Sequence, residues 1–424
     1  MSVVYFQDLR EKWIVSVTKK RISVYELEVG MFVSDLDRPW HETPFPIQGF
    51  QVKDTSDLDL ISKFCLFVFI DAKEERERFH YDIGEEIPKG PKKESVQLSH
   101  IVVRNPVKYR NSTPMVEEIQ ACKGILKKSR EVFSQINSGL PISPETVESV
   151  SELSLSMSES IVRNPHSLLW LSRIEAHSNR SYQHSLRMTV WSLTLARSLG
   201  LSQKLLGHLS NGCMLSQVGK ISLPKALIDQ EGQLDDQLLT QFKGYINAGV
   251  DMLKNEDIPR PALEIVQNHQ ERHNGGGFPN AVPGDKIPLL AQIAGLAYYY
   301  ELLITPGPTS GRPPRSPSEA LNIIYQLSDI KFHRDLVEAF IKSIGIYPIG
   351  SRVEISDGHI GIVLRHEPEN RLSPTVILLR GPDGKNLAKR KTIDLKSTLS
   401  DDGSRLTIKR CLDDSSVPVK QHNR

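Results

Sequence analysis

The chain has 424 residues, 39% hydrophobic and 25% charged, with 53 Lys and Arg against 51 Asp and Glu and a formal net charge of +2. That balance excludes a wholly disordered chain, and it excludes a strong electrostatic footprint for nucleic acid or a membrane surface. Four widely spaced cysteines (Cys65, Cys122, Cys213 and Cys411), with no C-x-x-C pair, exclude a disulfide framework and a zinc ribbon and fit a reducing compartment.

At roughly 150 residues per domain, the length implies two to three domains. The opening MSVVYFQDLREKW lacks the apolar core of a signal peptide. The most apolar stretch, Pro288 to Ile304, contains Gln292 and Glu301 and is too short and polar to span a bilayer. The expectation is a cytoplasmic, globular protein with no membrane insertion.

Residues 1–75 read as a small β-rich accessory domain. Val24, Leu27, Val29, Met31, Val33 and Leu36 are broken by Gly30, a second apolar run follows at Cys65 to Ile70, and Pro39, Pro44, Pro46 and Gly49 lie between them. Residues 76–113 mix charge, Gly and Pro without periodicity and read as a linker or irregular extension. Residues 114–348 read as an all-α domain of about seven helices. Its clearest signals are Met115–Ile136, a helix capped by Ser143 with Pro144 in its first turn, Arg180 to Leu199 ending at Gly200, and a restart at Ser202. Gln237 to Leu253, Arg260 to His269, Leu289 to Leu303, Pro317 to Leu327 and Asp335 to Ile344 complete the set. Residues 349–412 alternate as a small β element, and 413–424 form a polar tail. The fold class is mainly α, flanked by two small β parts.

Two segments are unusual in a helical domain: Gly219-Lys220-Ile-Ser-Leu-Pro224, and His269-Gln-Glu-Arg-His-Asn-Gly-Gly-Gly-Phe-Pro279. Three successive glycines need unusual backbone angles or a close backbone approach, or they simply close a tight loop after a helix. His269 and His273 are four apart, with Glu271 between them, but the helix is expected to end nearby and no third ligand is evident. Hydrogen-bonded or solvent-facing histidines are the preferred reading. His177 and His208 are read as structural or surface residues, and Tyr298-Tyr-Tyr300 as helix core.

The stretch from His184 to about Gly350 resembles the HD-GYP family, bacterial metal-dependent phosphodiesterases that hydrolyse cyclic di-GMP. Asn274-Gly-Gly-Gly-Phe-Pro279 stands where that family has Asp-Gly-x-Gly-Tyr-Pro, and Gly219-Lys220 closes its His-Asp-x-Gly-Lys motif. Tyr347-Pro-Ile-Gly-Ser-Arg-Val is also similar. Glu28-Val-Gly-Met-Phe-Val33, with Trp40, Pro44-Phe45 and Gly49-Phe50, resembles the accessory domain that often precedes HD-GYP domains.

The resemblance implies a cage of His and Asp around two or three Fe or Mn ions. His184 and His269 are the retained remnant of that cage. Ser216, Gln217, Tyr245, Gln270 and Tyr298 stand at substituted ligand positions, and Arg180 at a position where some members add a glutamate. With no carboxylate left, the expectation is no metal, no cofactor and no catalytic residue. Arg312 and Arg315 match the family's phosphate-gripping segment and Lys220 keeps a position that faces the site in relatives, which makes the three candidate nucleotide-binding residues, although a basic Pro-rich loop is also commonly a solvated linker. Gly275, Gly276, Gly277, Phe278 and Pro279 are a candidate partner loop, since in the family this loop can contact GGDEF-domain proteins. The sequence thus implies a catalytically degenerate regulator in a cyclic di-GMP network. The alternatives are a noncatalytic cyclic di-GMP receptor and a phosphodiesterase with a rearranged metal site.

Overall fold

Apolar alternation on both sides of Gly30 builds the N-terminal sheet. In the computed structural model, Gly30 takes φ +95° at the turn into β2. The structure describes residues 19–24, 27–36, 50–52, 54–65, 67–71, 103, 106–137, 142–174, 180–224, 227–228, 236–305, 314–366, 372–400 and 403–413. The chain divides into two units, 1–94 and 95–424.

In the first unit β1 (Lys19–Ser23), β2 (Phe32–Leu36), β3 (Phe50–Gln51) and β4 (Phe67–Asp71) form an antiparallel sheet in the order β1-β4-β2-β3. Of the expected strand signals, Val33 and Leu36 lie in β2 and Phe67 to Ile70 in β4, whereas Val24, Leu27, Val29 and Met31 lie outside the strands. A helix, α1 (Thr55–Phe64), is added where only strands were expected. Its signal is local: Asp54 accepts from the backbone N–H of Ser56 and Asp57, and Leu58 and Ile61 stand three apart on the face turned to the core. Val24, Leu27, Val33, Val52, Ile61, Cys65 and Val68 form that core.

The second unit is helical: α2 (Met115–Ile136), α3 (Pro144–Arg163), α4 (Pro165–Ile174), α5 (Arg180–Ser198) and α6 (Gln203–Leu215) come first. Then follow α7 (Asp236–Lys243), α8 (Tyr245–Leu253), α9 (Arg260–Asn268), α10 (Leu289–Ile304), α11 (Pro317–Gln326) and α12 (Arg334–Ile344). The caps read from sequence are in place, Ser143 on Thr146 N–H and Ser202 on Leu205 N–H. Two differences stand out. The expected 237–253 helix is broken at Gly244 into α7 and α8, and α4 was not anticipated.

Two buried carboxylates tie the helices. Glu118 of α2 accepts from Arg163 Nε at 2.8 Å, Arg163 Nη2 at 2.9 Å and Ser160 Oγ at 2.7 Å. Glu301 of α10, fully buried, accepts from Trp191 Nε1 at 2.9 Å, Thr305 Oγ1 at 2.7 Å and Arg187 Nη1 at 3.4 Å. A buried acid with every oxygen engaged fixes register between helices that apolar contacts alone would let slide.

The C-terminal strands β5 (Arg352–Ile355), β6 (Ile360–Arg365), β7 (Thr375–Arg380), β8 (Asn386–Asp394) and β9 (Ile408–Leu412) form an antiparallel sheet in the order β8-β7-β6-β5-β9. Val353, Ile355, Val363, Val376, Leu378 and Ile393 join the same core cluster as the helices. No helix among the described residues is long and apolar enough to cross a membrane. Most of the 76–113 segment, the Trp40 to Gly49 motif, His177, Arg312, the 306–311 loop and the tail beyond 413 lie outside the described residues, as do the side chains of Arg180 and Phe50.

Candidate functional site

Glycines at three close backbone approaches bring the ends of several helices together. Gly219, in the 3₁₀ turn Val218–Ser222 after α6, lies so near α8 that a Cβ there would stand 1.9 Å from the Tyr245 carbonyl oxygen. At Gly295 of α10 a Cβ would meet the His269 carbonyl oxygen at 2.5 Å, and at Gly277 it would meet Glu271 Cα at 2.3 Å. Only glycine permits these distances. As a result Ser216, Gln217 and Lys220 from the α6 exit, Tyr245 from the start of α8, His269 and Gln270 from the end of α9, and Tyr298 from α10 share one centre.

His269 is the hub. It caps α9 and is fully buried, and its Nδ1 lies 3.2 Å from the Ile265 carbonyl and 3.1 Å from the Val266 carbonyl. Carbonyl oxygens only accept, so we assign the ring proton to Nδ1, which leaves Nε2 as an acceptor. Gln217 Nε2 at 3.2 Å and Tyr245 Oη at 3.0 Å both point donors at that lone pair. Burial, with Arg272 and Lys220 nearby, pushes the imidazole pKa down to about 3, so the ring is neutral.

The network continues outward. Gln270 Nε2 donates to Tyr245 Oη at 3.1 Å, and Gln270 Oε1 accepts from Arg272 Nη2 at 2.7 Å. Arg272 Nη1 donates to the carbonyls of His269 (3.1 Å) and Glu271 (2.8 Å). Ser216 turns its hydroxyl back to the Cys213 carbonyl at 2.7 Å and receives Gln217 Nε2 at 3.2 Å. The Tyr298 ring stands edge-on to His184 at 4.6 Å and to His269 at 5.7 Å between centroids.

Positive charge is supplied by side chains. The Lys220 ammonium, in a residue only 8% exposed, lies 5.1 Å from the Phe242 ring centroid, 5.3 Å from Tyr245 and 5.9 Å from Tyr298. Three rings within about 6 Å form an aromatic cage for a cation. Arg272 stacks 5.5 Å from the Phe332 ring, and burial lowers its pKa.

The glycine loop is fastened to this centre. Glu271 accepts from the N–H of Asn280 at 2.8 Å and Val282 at 3.0 Å, and Phe278 N–H donates to the Gln270 carbonyl at 3.2 Å. Gly275 takes φ +76°, and Gly276 N–H donates to Asn274 Oδ1 at 2.9 Å. Phe278 packs with Leu227, Phe242, Tyr245 and Ile246. Pro279 is half-buried, while Asn274, Gly276 and Asn280 are exposed.

Ser216, Gln217, Tyr245, Gln270 and Tyr298 therefore meet His184 and His269. His273 does not join them: α9 ends at Asn268, and the His273 ring stands 5.4 Å from His333 instead. Arg315 is placed at the exit of α10, where its N–H donates to the Leu303 carbonyl at 2.9 Å. His208 is half-buried on α6. Sequence reasoning missed Arg272, the bracing carboxylate of Glu271 and the third cage wall, Phe242. Arg272 and Glu271 stood inside the His269 motif and could have been flagged, whereas nothing local marks Phe242.

These residues do not fit a metal centre. The Nε2 lone pair of His269 is taken by two donors, and the buried carboxylate of Glu271 is engaged by loop N–H groups. Among the described residues no group of three or more His, Cys, Asp or Glu could hold a metal.

Parts of the chain match known proteins. Residues 171–336 match the HD domain family, and residues 19–146 match a domain of unknown function, DUF3391. A cyclic di-GMP phosphodiesterase of Pseudomonas aeruginosa is 26% identical over 389 residues, covering 89% of each chain. A 3′3′-cGAMP-specific phosphodiesterase of Vibrio cholerae is 29% identical over 132 residues, covering 31% of this chain and 25% of its own length. An HDG"Y"P protein from Bdellovibrio bacteriovorus aligns at TM-score 0.45 and 16% identity, covering 76% of this chain and 97% of that one. The expectation of no cofactor is corrected by these matches, because HD-domain phosphodiesterases normally use metal ions.

The His269 assignment predicts a pH dependence. Its folded pKa of about 3 lies below the ordinary value of 6.5, so the unfolded chain takes up the proton first. Stability from this residue is complete above about pH 6.5 and falls as the pH drops towards about 3, by up to about 1.4 kcal/mol per unit. Denaturant unfolding of the parent and His269→Gln across this window should show a shallower slope in the variant. Parallel slopes would contradict the assignment.

Proposed function

We propose that this chain, an HD-domain protein of the HD-GYP type with a DUF3391 domain, works in cyclic dinucleotide signalling as a regulator whose helical domain does not hydrolyse the phosphodiester. The observation that carries this reading is the hydrogen-bonded network of Gln217, His269, Tyr245, Gln270 and Arg272.

Phosphodiester hydrolysis needs an activated water and groups that stabilise charge developing on phosphorus-bound oxygen. A general base must have a free lone pair near the water, and that of His269 is held by two donors. A general acid must carry a proton near neutral pH, and at a pKa of about 3 the imidazolium does not form there. Ser216, Gln217 and Tyr298 offer no carboxylate. Lys220 and Arg272 can offset negative charge, but neither makes a nucleophile. Such a site suits a fixed scaffold better than turnover.

The output of such a scaffold is protein contact through the loop at 274–279. Support comes from its bracing: Glu271 and the Gln270 carbonyl hold it to the centre while Asn274 and Gly276 remain exposed. A loop already ordered loses less entropy on binding than a free one. GGDEF-domain proteins are the proposed partner class, and cyclic di-GMP the messenger. The receptor reading has less support, since the Lys220 ammonium is already engaged by three rings.

Incubation of the full chain with cyclic di-GMP or 3′3′-cGAMP, with Mn²⁺ or Fe²⁺ added, should yield no linear dinucleotide above the buffer control. Product formed in proportion to protein, and lost in His269→Ala, would refute the reading. Separately, Phe278→Ala should weaken capture of a purified GGDEF-domain protein by about tenfold, because the ring anchors the loop. Equal capture by parent and variant would remove the loop from the interface.

A further inference from the structure

The C-terminal sheet carries charge that the site does not use. β8 stands at one end of the strand order and pairs with β7, in the register Val376↔Ile393, Ile377↔Thr392 and Leu378↔Lys391. Among the described residues no strand covers its other side, so a row of backbone N–H and C=O groups faces outward. Lys389, Arg390 and Lys391 are consecutive on this strand and all exposed, as are Lys385 before it and Lys396 after it. From Arg380 to Lys396 there are six basic side chains against two acidic ones, Asp383 and Asp394, an excess of four in a chain whose net charge is +2. Asp383 is already taken by Lys385 at 3.6 Å.

The charges lie along the open edge. Paired residues on neighbouring antiparallel strands share a face. Lys391 stands opposite buried Leu378 on the face turned to the core, Thr392 opposite Ile377 lies on the other, and Lys389 and Arg390 stand where the register shifts between Leu378↔Lys391 and Arg380↔Asn386. A flat membrane or a nucleic-acid duplex would meet the charges and leave the open backbone groups unused. A second copy of β8 would bring the same charges and be repelled. An extended acidic strand meets both conditions: its charge is opposite, and its backbone pairs with the open edge.

We infer that β8 is a docking edge for an acidic, extended peptide segment of a partner protein, which adds to the sheet as a further strand beside Lys389, Arg390 and Lys391. This surface is separate from the helical site and does not rest on the reading given for it.

The probe is a labelled peptide, Thr-Val-Thr-Glu-Glu-Glu-Thr-Val-Thr, titrated into the full chain by fluorescence anisotropy. The parent should bind it, and the triple variant Lys389→Glu, Arg390→Glu, Lys391→Glu should bind at least about tenfold more weakly. A peptide of the same sequence, N-methylated at alternate backbone nitrogens, should lose a similar factor because the ladder cannot form. The triple variant should in turn bind the Lys-Lys-Lys version of the peptide, which shows that it is folded. No parent binding at millimolar peptide would overturn the proposal. So would equal affinity for the N-methylated peptide, or charge-dependent binding of duplex RNA or anionic vesicles in place of the peptide.

Discussion

The site depends on where one imidazole spends its single proton. His269 caps α9 with its Nδ1 against two helix carbonyls, so the proton must lie there and the lone pair on Nε2 must face inward. A buried lone pair without a partner costs free energy, and here two neutral donors meet it, Gln217 and Tyr245. From that point each polar group is determined by the last. The Tyr245 hydroxyl takes the Gln270 amide, Gln270 takes Arg272, and Arg272 closes onto the carbonyls of residues 269 and 271. Orienting Tyr245 for this network also sets its ring beside the Lys220 ammonium, so the polar network and the cation cage share one residue.

The same logic accounts for the buried cationic side chains of the centre. In the family the chain resembles, anionic ligands balance divalent cations. Here Ser216, Gln217, Tyr245, Gln270 and Tyr298 bring a hydroxyl, two amides and two phenol rings, and the buried cationic side chains Lys220 and Arg272 are held by rings and by neutral oxygens. Both arrangements satisfy the requirement that buried charge be compensated, with different chemistry at the centre. The backbone that frames it is set by glycines whose close approaches, at 219, 277 and 295, do not depend on what fills the middle.

Much of the fold was legible because its signals are local. Ser143-Pro144, Gly200 followed by Ser202, and the apolar period of Met115–Ile136 each act within a turn or two of helix. The break at Gly244 was not legible, because the apolar period runs on across it and the interruption comes from the approach of Gly219 to α8. Likewise α1 was hidden by a strand-like composition on both sides. The site positions could be placed by motif, yet their roles could not. Phe242 stands 22 residues from Lys220 in sequence, and only the tertiary fold makes it the third wall of the cage. Arg272 looked like one charge among several in a polar loop, and its burial follows from the packing of α9 against α10.

The central claim is that His269 is a neutral, Nδ1-protonated acceptor at the heart of a hydrogen-bonded network. Long-range ¹H–¹⁵N spectra of the histidine-labelled chain, with His269 assigned by its loss in His269→Gln, read that state directly. The account predicts an Nδ1–H tautomer with unchanged shifts between about pH 7.5 and about pH 4.5, while exposed histidines titrate in the same spectra. An Nε2–H tautomer, or protonation of His269 near pH 6.5, would contradict it.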